Sequence, residues 1–353
     1  MARTRIAFVG VGDISGIYLQ NLTTVFKKEI EIVGLCDLIR SKAEDAAEKY
    51  QVERIYEDMA EVFADETVDI VLNLTRPNEH YAVTKAALEA GKAVYSEKPL
   101  ASTFEDGQEL LALAKERNLA VGGAPDTFLG SGIQTCKKLI DSGIIGTPIG
   151  FTASMICRGH ESWHPGPAFY YQFGGGPMMD MGPYYVTALV ALLGQVKTVT
   201  AVTKSAFPER LITSEPLSGT TVEVEVPTFV SGIMEMEGGA TGTLFTTFDC
   251  YDEEQASITI YGSEGTLKVP DPNTFGGPVY LLTKQSKQYK EIPLLFDYTE
   301  NSRGIGLVDM ANGMKEGTKI RADISQTYHV LEVMTAFQRS SDQGSRVDIR
   351  SKI

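Results

Sequence analysis

Three clusters in this 353-residue chain combine residue types that can do chemistry. The first is Gly10-Val11-Gly12-Asp13-Ile14-Ser15, with Asp37 lying 22 residues beyond Ser15. A glycine turn between a strand and a helix lets backbone approach a pyrophosphate, and the helix start adds free N–H donors. Ser15 stands where such a turn usually has a third glycine, and it is small enough for close helix–strand packing. Asp37, ending the next apolar run, can accept both ribose hydroxyls of NAD and repel the 2′-phosphate of NADP. Its other reading is a capping aspartate ahead of Ser41. Gly10, Gly12, Asp13, Ile14 and Asp37 are thus candidate dinucleotide contacts. Arg40 could neutralise a 2′-phosphate, so NAD is favoured and NADP stays open.

The second cluster is a pair of polar loops, each following an apolar run. One reads Thr75-Arg76-Pro77-Asn78-Glu79-His80 and the other Tyr95-Ser96-Glu97-Lys98-Pro99. Loops at the carboxyl ends of parallel strands are where doubly wound sheets bind ligands. Pro99 fixes a turn and can adopt the cis form, which would aim Lys98 at the space above the sheet. A lysine held near a nicotinamide and partly desolvated can exchange protons near neutrality. His80 alone reads as a histidine on the surface of a helix's first turn.

The third cluster spans residues 157–184. Gly174-Gly175-Gly176 precede Pro177-Met178-Met179-Asp180-Met181-Gly182-Pro183-Tyr184. Three glycines suit a wall lying against a ligand. Asp180 and Tyr184, four apart on one helix, would share a face suited to vicinal hydroxyls. Val186, Leu189, Val190 and Leu193 would form the opposite, core face. Pro183 requires that the helix begin close before it. Upstream, Cys157-Arg158-Gly159-His160-Glu161-Ser162-Trp163-His164-Pro165 holds the only tryptophan and two of the four histidines. Trp163 offers an apolar face for a sugar ring, and Arg158, His160, Glu161 and His164 offer hydrogen bonds. His160 and His164 could share a metal only on a helix, which Gly159 and Pro165 oppose, so no metal is expected.

These clusters need elements to position them. Apolar runs at 6–9, 30–35, 70–74, 93–95 and 119–121 alternate with helical patterns at 14–26, 41–50, 78–90 and 104–116. That alternation predicts a parallel, doubly wound sheet. After a helix at 131–142, strands prevail: 150–157, 196–203, 218–225, 229–236, 240–248, 256–261, 265–269 and 279–283. They predict one large, mostly antiparallel sheet. Helices are expected at 179–193, 305–314 and 324–338. The fold class is therefore an α/β Rossmann domain, residues 1–124, followed by an α+β domain with a large, mostly antiparallel open sheet, residues 125–353.

Composition narrows the partners. Acidic residues number 46 against 32 basic, a net charge of −14, which opposes nucleic acid and anionic membranes. No apolar run approaches the ~20 residues of a membrane span, and the run at 6–9 is too short for a signal-peptide core. The four cysteines, Cys36, Cys136, Cys157 and Cys250, form no CxxC motif and read as free thiols of a reducing cytoplasm.

The Gly10-x-Gly12 turn, Asp37, the Thr75-x-Pro77-Asn78-x-His80 loop and Glu97-Lys98-Pro99 together resemble the Gfo/Idh/MocA family. These are the glucose–fructose oxidoreductase and inositol dehydrogenase relatives. The resemblance covers essentially the whole chain. Asp180 and Tyr184 match the family's D-x-x-x-H motif with tyrosine in place of histidine. The stretch Ala124-Pro125-Asp126-Thr127-Phe128 also departs from relatives that carry an arginine there.

The resemblance implies an NAD(P)-dependent oxidoreductase moving a hydride between nicotinamide and a sugar, polyol or glycoside. Lys98, Asp180 and Tyr184 would be catalytic, and Lys98 or Tyr184 would transfer the proton. Gly10, Gly12, Asp13, Ile14, Asp37, Arg40, Thr75, Arg76, Pro77, His80, Glu97 and Lys98 would hold the cofactor. Arg158, His160, Trp163, His164, Asp180 and Tyr184, with Lys98, would meet the substrate. It also implies a homodimer or homotetramer formed through the open sheet. Two other readings stay open. One is glycoside cleavage through a transient keto-sugar with recycled cofactor; the other is a nucleotide-binding regulator without turnover.

Overall fold

The apolar runs of the first third become buried parallel strands. In this computed structural model, which describes residues 2–252, 254 and 256–353, they are β1 (Thr4–Val9), β2 (Ile30–Cys36), β3 (Ile70–Asn73), β4 (Ala93–Ser96) and β5 (Val121–Gly123). They pair in the order β2-β1-β3-β4-β5, every pair parallel. Ile6, Phe8, Ile70, Leu72, Val94 and Tyr95 are fully enclosed, as both-face burial of parallel strands requires. The connecting helices are α1 (Ser15–Thr23), α2 (Arg40–Tyr50), α3 (Met59–Ala64), α4 (His80–Glu89) and α5 (Phe104–Arg117). The sequence reading did not foresee α3, which starts because Asp58 accepts the Glu61 N–H at 2.9 Å.

The chain divides into two compact units, and the first is not a simple N-terminal piece. It comprises Met1–Asp126 and Asn301–Tyr328. The expected division at 124/125 assigned residues 301–328 to the other domain. They join this unit through polar anchors. Asp126 accepts the N–H groups of Gly304 and Gly306 at 2.8 and 3.0 Å. Asn21 Nδ2 donates to the carbonyls of Asn301 and Arg303.

The second unit is Thr127–Glu300 with His329–Ile353. It begins with α6 (Ser131–Asp141). Its strands are β6 (Pro148–Ile156), β7 (Val196–Lys204), β8 (Glu209–Leu211), β9 (Thr221–Glu223), β10 (Phe229–Met236), β11 (Thr241–Thr247), β12 (Ala256–Gly262), β13 (Gly265–Val269), β14 (Val279–Thr283), β15 (Lys290–Ile292) and β16 (Val347–Asp348). Nine form one sheet in the order β15-β14-β13-β12-β6-β11-β10-β7-β16, and only β6 and β11 pair in parallel. Alternation along β10 buries Val230, Met234 and Met236 and turns Ile233 outward. Two short helices, α7 (Pro177–Asp180) and α8 (Gly182–Leu193), follow β6. Two further helices are α9 (Ile305–Glu316), within the first unit, and α10 (Ile324–Gln343), which begins there and ends in the second. Among the described residues no helix is long and apolar enough to cross a membrane.

One expected strand of the large sheet is elsewhere. Lys204 pairs directly with Phe229, so residues 205–228 are an excursion from the β7–β10 hairpin. Of the expected strand 218–225, Thr221–Glu223 is extended, and it pairs with Glu209–Leu211 as a separate two-stranded sheet.

Candidate functional site

In the first unit, Gly10 is forced to be glycine. Its φ is +97°, and a Cβ there would sit 2.7 Å from the carbonyl group of Leu74. Gly12 is the opposite case: a Cβ would meet nothing within 4 Å. That open side, at the start of α1, is the cradle a pyrophosphate needs. The first turn of α1 carries no acidic residue and no side-chain cap, which leaves the helix's positive end for an anion. Ser15 is buried and donates its hydroxyl to Gly12 O at 2.6 Å, so it replaces the third glycine by packing inward.

Asp37 ties this turn to β2. Its Oδ2 accepts the Val11 N–H at 2.7 Å and its Oδ1 the Ile39 N–H at 2.8 Å. It does not cap α2, whose N-cap is Ile39 without a side-chain hydrogen bond. A carboxylate has about four acceptor positions, so two amides leave room for ribose hydroxyls. Arg40 is engaged by Glu44 at 2.9 Å and by Glu57. The group expected to meet a 2′-phosphate therefore already has two carboxylate partners. The residues present fit a bound NAD.

The two polar loops are braced from below. Asn73, buried at the end of β3, donates to His80 O and Thr84 Oγ1 and accepts from the N–H and hydroxyl of Thr75. His80 is only 1% exposed. Its Nδ1 lies 2.8 Å from Pro99 O and its Nε2 3.0 Å from Thr75 O. Burial pushes its pKa below the usual histidine range, against the opposing pull of the two carbonyls. Glu97 is also enclosed: its carboxylate accepts the Tyr18 hydroxyl at 2.8 Å and the Lys98 N–H at 3.0 Å. Burial, and after it the Glu97 charge, raises the Tyr18 pKa well above the phenol value. His80 and Glu97, expected as cofactor contacts, therefore act as struts beneath the loops. Both His80 ring nitrogens meet carbonyls, and each Glu97 carboxylate oxygen accepts a protein donor. Lys98, which follows Glu97, is half-buried and precedes a cis bond to Pro99. Thr75 and Pro77 are half-buried and Arg76 is exposed.

In the second unit, the glycine run has a different purpose from the expected ligand wall. A Cβ on Gly175 would sit 2.4 Å from Phe169 O, so that glycine lets the loop close on its own backbone. The expected single helix is also broken. Asp180 closes α7, Met181 separates the two helices, and Tyr184 lies in the first turn of α8 with its N–H on Met181 O. Pro183 explains the break, because it cannot donate to the preceding turn. The one-face argument for Asp180 and Tyr184 therefore does not hold across the junction. Nor is α8 one-sided: Tyr184, Tyr185, Val186, Leu189 and Val190 are all buried.

Asp180 instead meets the upstream loop. His160 Nε2 lies 3.6 Å from Asp180 Oδ2. The His160 ring is 8% exposed and packs against Tyr170, centroids 3.7 Å apart, and edge-on against Phe248 at 4.6 Å. A chain of aromatic contacts runs from His160 through Trp163, His164 and Phe169 back to Tyr170. Trp163 is 62% exposed and so presents a free apolar face. His164 Nδ1 accepts the Gly166 N–H at 3.0 Å, which places a neutral ring's proton on Nε2.

The sequence reading missed what holds this loop. Arg210, on β8, is almost wholly buried. It contacts Glu161 and Asp249, each at 2.8 Å, and donates to the carbonyls of Arg158 and Phe248. The Tyr171 hydroxyl donates to Glu161. Glu161, expected to offer a hydrogen bond to a ligand, is thus committed to the scaffold. Nothing local to Arg210 or Asp249 announces this, since they lie 49 and 88 residues beyond Glu161. Among the described residues no group of three or more His, Cys, Asp or Glu is arranged to hold a metal ion.

Comparison with known proteins supplies the family. Over 205 residues the chain is 29% identical to D-xylose dehydrogenase of Paenarthrobacter nicotinovorans, a match covering 57% of this chain and 52% of that protein. It spans about half the length of that and several other curated relatives. Over 356 residues it is 24% identical to D-glucoside 3-dehydrogenase of Escherichia coli (strain K12), covering 98% of this chain and 97% of that one. A levoglucosan dehydrogenase solved with NADH and L-sorbose shares the fold, with a TM-score of 0.85 over 99% of both chains at 20% identity. Residues 4–123 match the model described as an oxidoreductase family with an NAD-binding Rossmann fold, and residues 133–268 match the GFO/IDH/MocA C-terminal domain. Fingerprint, braced loops and β-rich second half thus agree with both matches, and the chain belongs to the Gfo/Idh/MocA family of oxidoreductases.

Proposed function

We propose that the protein is an NAD-dependent dehydrogenase that oxidises a hydroxyl of a sugar, polyol or glycoside, or reduces the corresponding carbonyl. The observation that carries this reading is the bracing of Lys98. Its N–H donates to the buried Glu97 carboxylate, the Pro99 carbonyl that follows meets His80, and the same unit carries a dinucleotide turn whose open side is at Gly12. A glycoside is the substrate class favoured by the relative matched over nearly its whole length.

In this reading Gly10, Gly12, Asp13 and Ile14 hold the pyrophosphate, and Asp37 holds the adenosine ribose. Thr75, Arg76 and Pro77 line the path toward the nicotinamide. The bound NAD supplies the hydride acceptor. Lys98 or Tyr184 takes the hydroxyl proton, and Asp180 with His160 orients the carbinol. Trp163 stacks on the sugar ring, with His164 beside it. Proton transfer of this kind contributes about 10²–10⁴-fold in rate. The engagement of Arg40 by Glu44 and Glu57 favours NAD over NADP.

The first unit, with residues 301–328, would act as the nucleotide-binding domain and the second as the substrate and assembly domain. The outward face of the nine-stranded sheet, with Val202 and Ile233 exposed, is our choice for a homodimer or homotetramer contact. Two buried and two half-buried free cysteines suit a reducing cytoplasm. The test is an absorbance screen for NADH or NADPH formation with sugars, inositols and glycosides, NAD and NADP being supplied separately. Reduction of NAD by at least one of these compounds is the expected result. Tight NAD binding with no turnover on any of them would refute the reading.

A further inference from the structure

Two buried polar atoms in loop 158–164 have no hydrogen-bond partner: Arg158 Nη1 and His160 Nδ1. Buried polar atoms are nearly always satisfied in folded proteins, so a pair of orphans in one loop calls for an explanation. Arg158 differs from its neighbour Arg210. Arg210 has two carboxylates and two carbonyls. Among the described residues Arg158 is in no ion pair, although the chain holds 46 acidic residues. Its guanidinium lies over Phe207 and Tyr251, 4.7 and 5.4 Å from the ring centroids. Aromatic rings contact the flat faces of a guanidinium and leave the in-plane N–H fork unfilled.

The loop is also held in place. The Arg158 carbonyl accepts from Arg210 at 2.6 Å, so the backbone that carries this cation is anchored to the buried ion cluster. His160, more than nine-tenths buried, directs Nε2 at Asp180 and leaves Nδ1 unmatched.

We propose that Arg158 is the receptor for an anionic substituent, a carboxylate or a phosphate, on the carbohydrate substrate, with His160 Nδ1 meeting a hydroxyl of the same ligand. The proposal rests on the reading of the protein as a carbohydrate dehydrogenase and narrows its substrate class. A planar fork with five donors matches both carboxylate and phosphate oxygens, and hydrogen bonds to a charged group are about twice as strong as neutral ones.

The experiment titrates the NAD-loaded protein with D-glucose, D-glucuronate and D-glucose 6-phosphate by calorimetry at low salt. At least one anion should bind about 10–100-fold more tightly than D-glucose, and which one does so distinguishes carboxylate from phosphate. Arg158→Met should abolish the preference, so that the ratio of anion affinity to D-glucose affinity, measured on the same variant, falls to about one. Arg158→Lys, which keeps the charge but not the fork, should retain part of it and serves if the methionine variant does not fold. Equal affinity for all three compounds in the wild type, or a preference that survives Arg158→Met, would overturn the proposal. NADH formation is followed on the same compounds. Its absence with the anion preference intact would count against the dehydrogenase reading and not against the subsite.

Discussion

The turn around Gly10 and Asp37 and the loop around His160 hold their polar groups by opposite means. In the first, side chains are fixed by backbone: Asp37 by the amides of Val11 and Ile39, His80 by the carbonyls of Thr75 and Pro99, Glu97 by the Lys98 amide. In the second, charged side chains distant in sequence do most of the holding: Glu161 by Arg210 and Tyr171, and Arg210 by Asp249, with the carbonyls of Arg158 and Phe248 completing it. Backbone anchoring depends on local spacing, which a sequence displays. Anchoring by distant charges depends on topology, which a sequence conceals.

The contrast can be tested by variants, and the largest effect is expected at Arg210. Arg210→Met leaves Glu161 and Asp249 buried without their cation. Denaturant melts should report a loss of about 3–5 kcal/mol, as for other buried pairs broken on one side. A loss below about 1 kcal/mol, typical of exposed pairs, would mean that the cluster is not what holds the loop.

The next effect concerns Asp126. Burial raises its carboxyl from 3.8 to about 6, against the two glycine amides that favour the charge. The folded form therefore binds the extra proton between those values. Its contribution to stability is fully present below about pH 4 and is lost as pH rises through 6. Asp126→Asn keeps an acceptor oxygen for Gly304 and Gly306 and removes the titration. Relative to wild type, the variant should gain about 2 kcal/mol between pH 4 and pH 7, most of the roughly 3 kcal/mol that the whole shift carries at 1.36 kcal/mol per unit. A stability difference that does not change with pH would contradict this.

The glycine pair gives a smaller and sharper contrast. Gly10→Ala meets the Leu74 carbonyl and a left-handed φ, so it should lower stability by roughly 2 kcal/mol. Gly12→Ala has open space, so its melting should stay within about 0.5 kcal/mol of wild type. NAD affinity should nevertheless fall, because the methyl group occupies the approach to the pyrophosphate. Equal melting losses in both variants would remove the distinction between a structural and a ligand-facing glycine. The smallest effect is at Glu57. Glu57→Gln loosens one of two exposed partners of Arg40, and the ratio of NADP to NAD use should rise by no more than about fivefold, the scale of a surface ion pair.

Much of this fold was legible because its signals are local. Parallel strands buried on both faces read as short apolar runs: β1 to β4 sit where those runs lie, and β5 starts at the last residue of its run. The fingerprint was legible because Gly10 must adopt its φ whatever the rest of the chain does. Other features were hidden for identifiable reasons. Six-residue α3 depends on one aspartate cap, too little for a periodic pattern. His80 looked like a surface histidine because its burial comes from the Pro99 carbonyl, on a different loop. Residues 205–228 looked like part of the large sheet because the Lys204–Phe229 pairing that excludes them is not written in their own composition. Residues 301–328 return to the first unit through Asn21 and Asp126, polar contacts that hydrophobic patterning does not register.

Of the two candidates for the substrate proton, Lys98 and Tyr184, we propose Lys98, and one comparison addresses it. Wild type and Lys98→Ala are assayed for NADH formation from a turned-over sugar, with NAD affinity measured on the same samples. The variant should keep NAD binding within a few-fold and lose about 10²–10⁴-fold in kcat. Full turnover by Lys98→Ala with the cofactor bound would contradict the account.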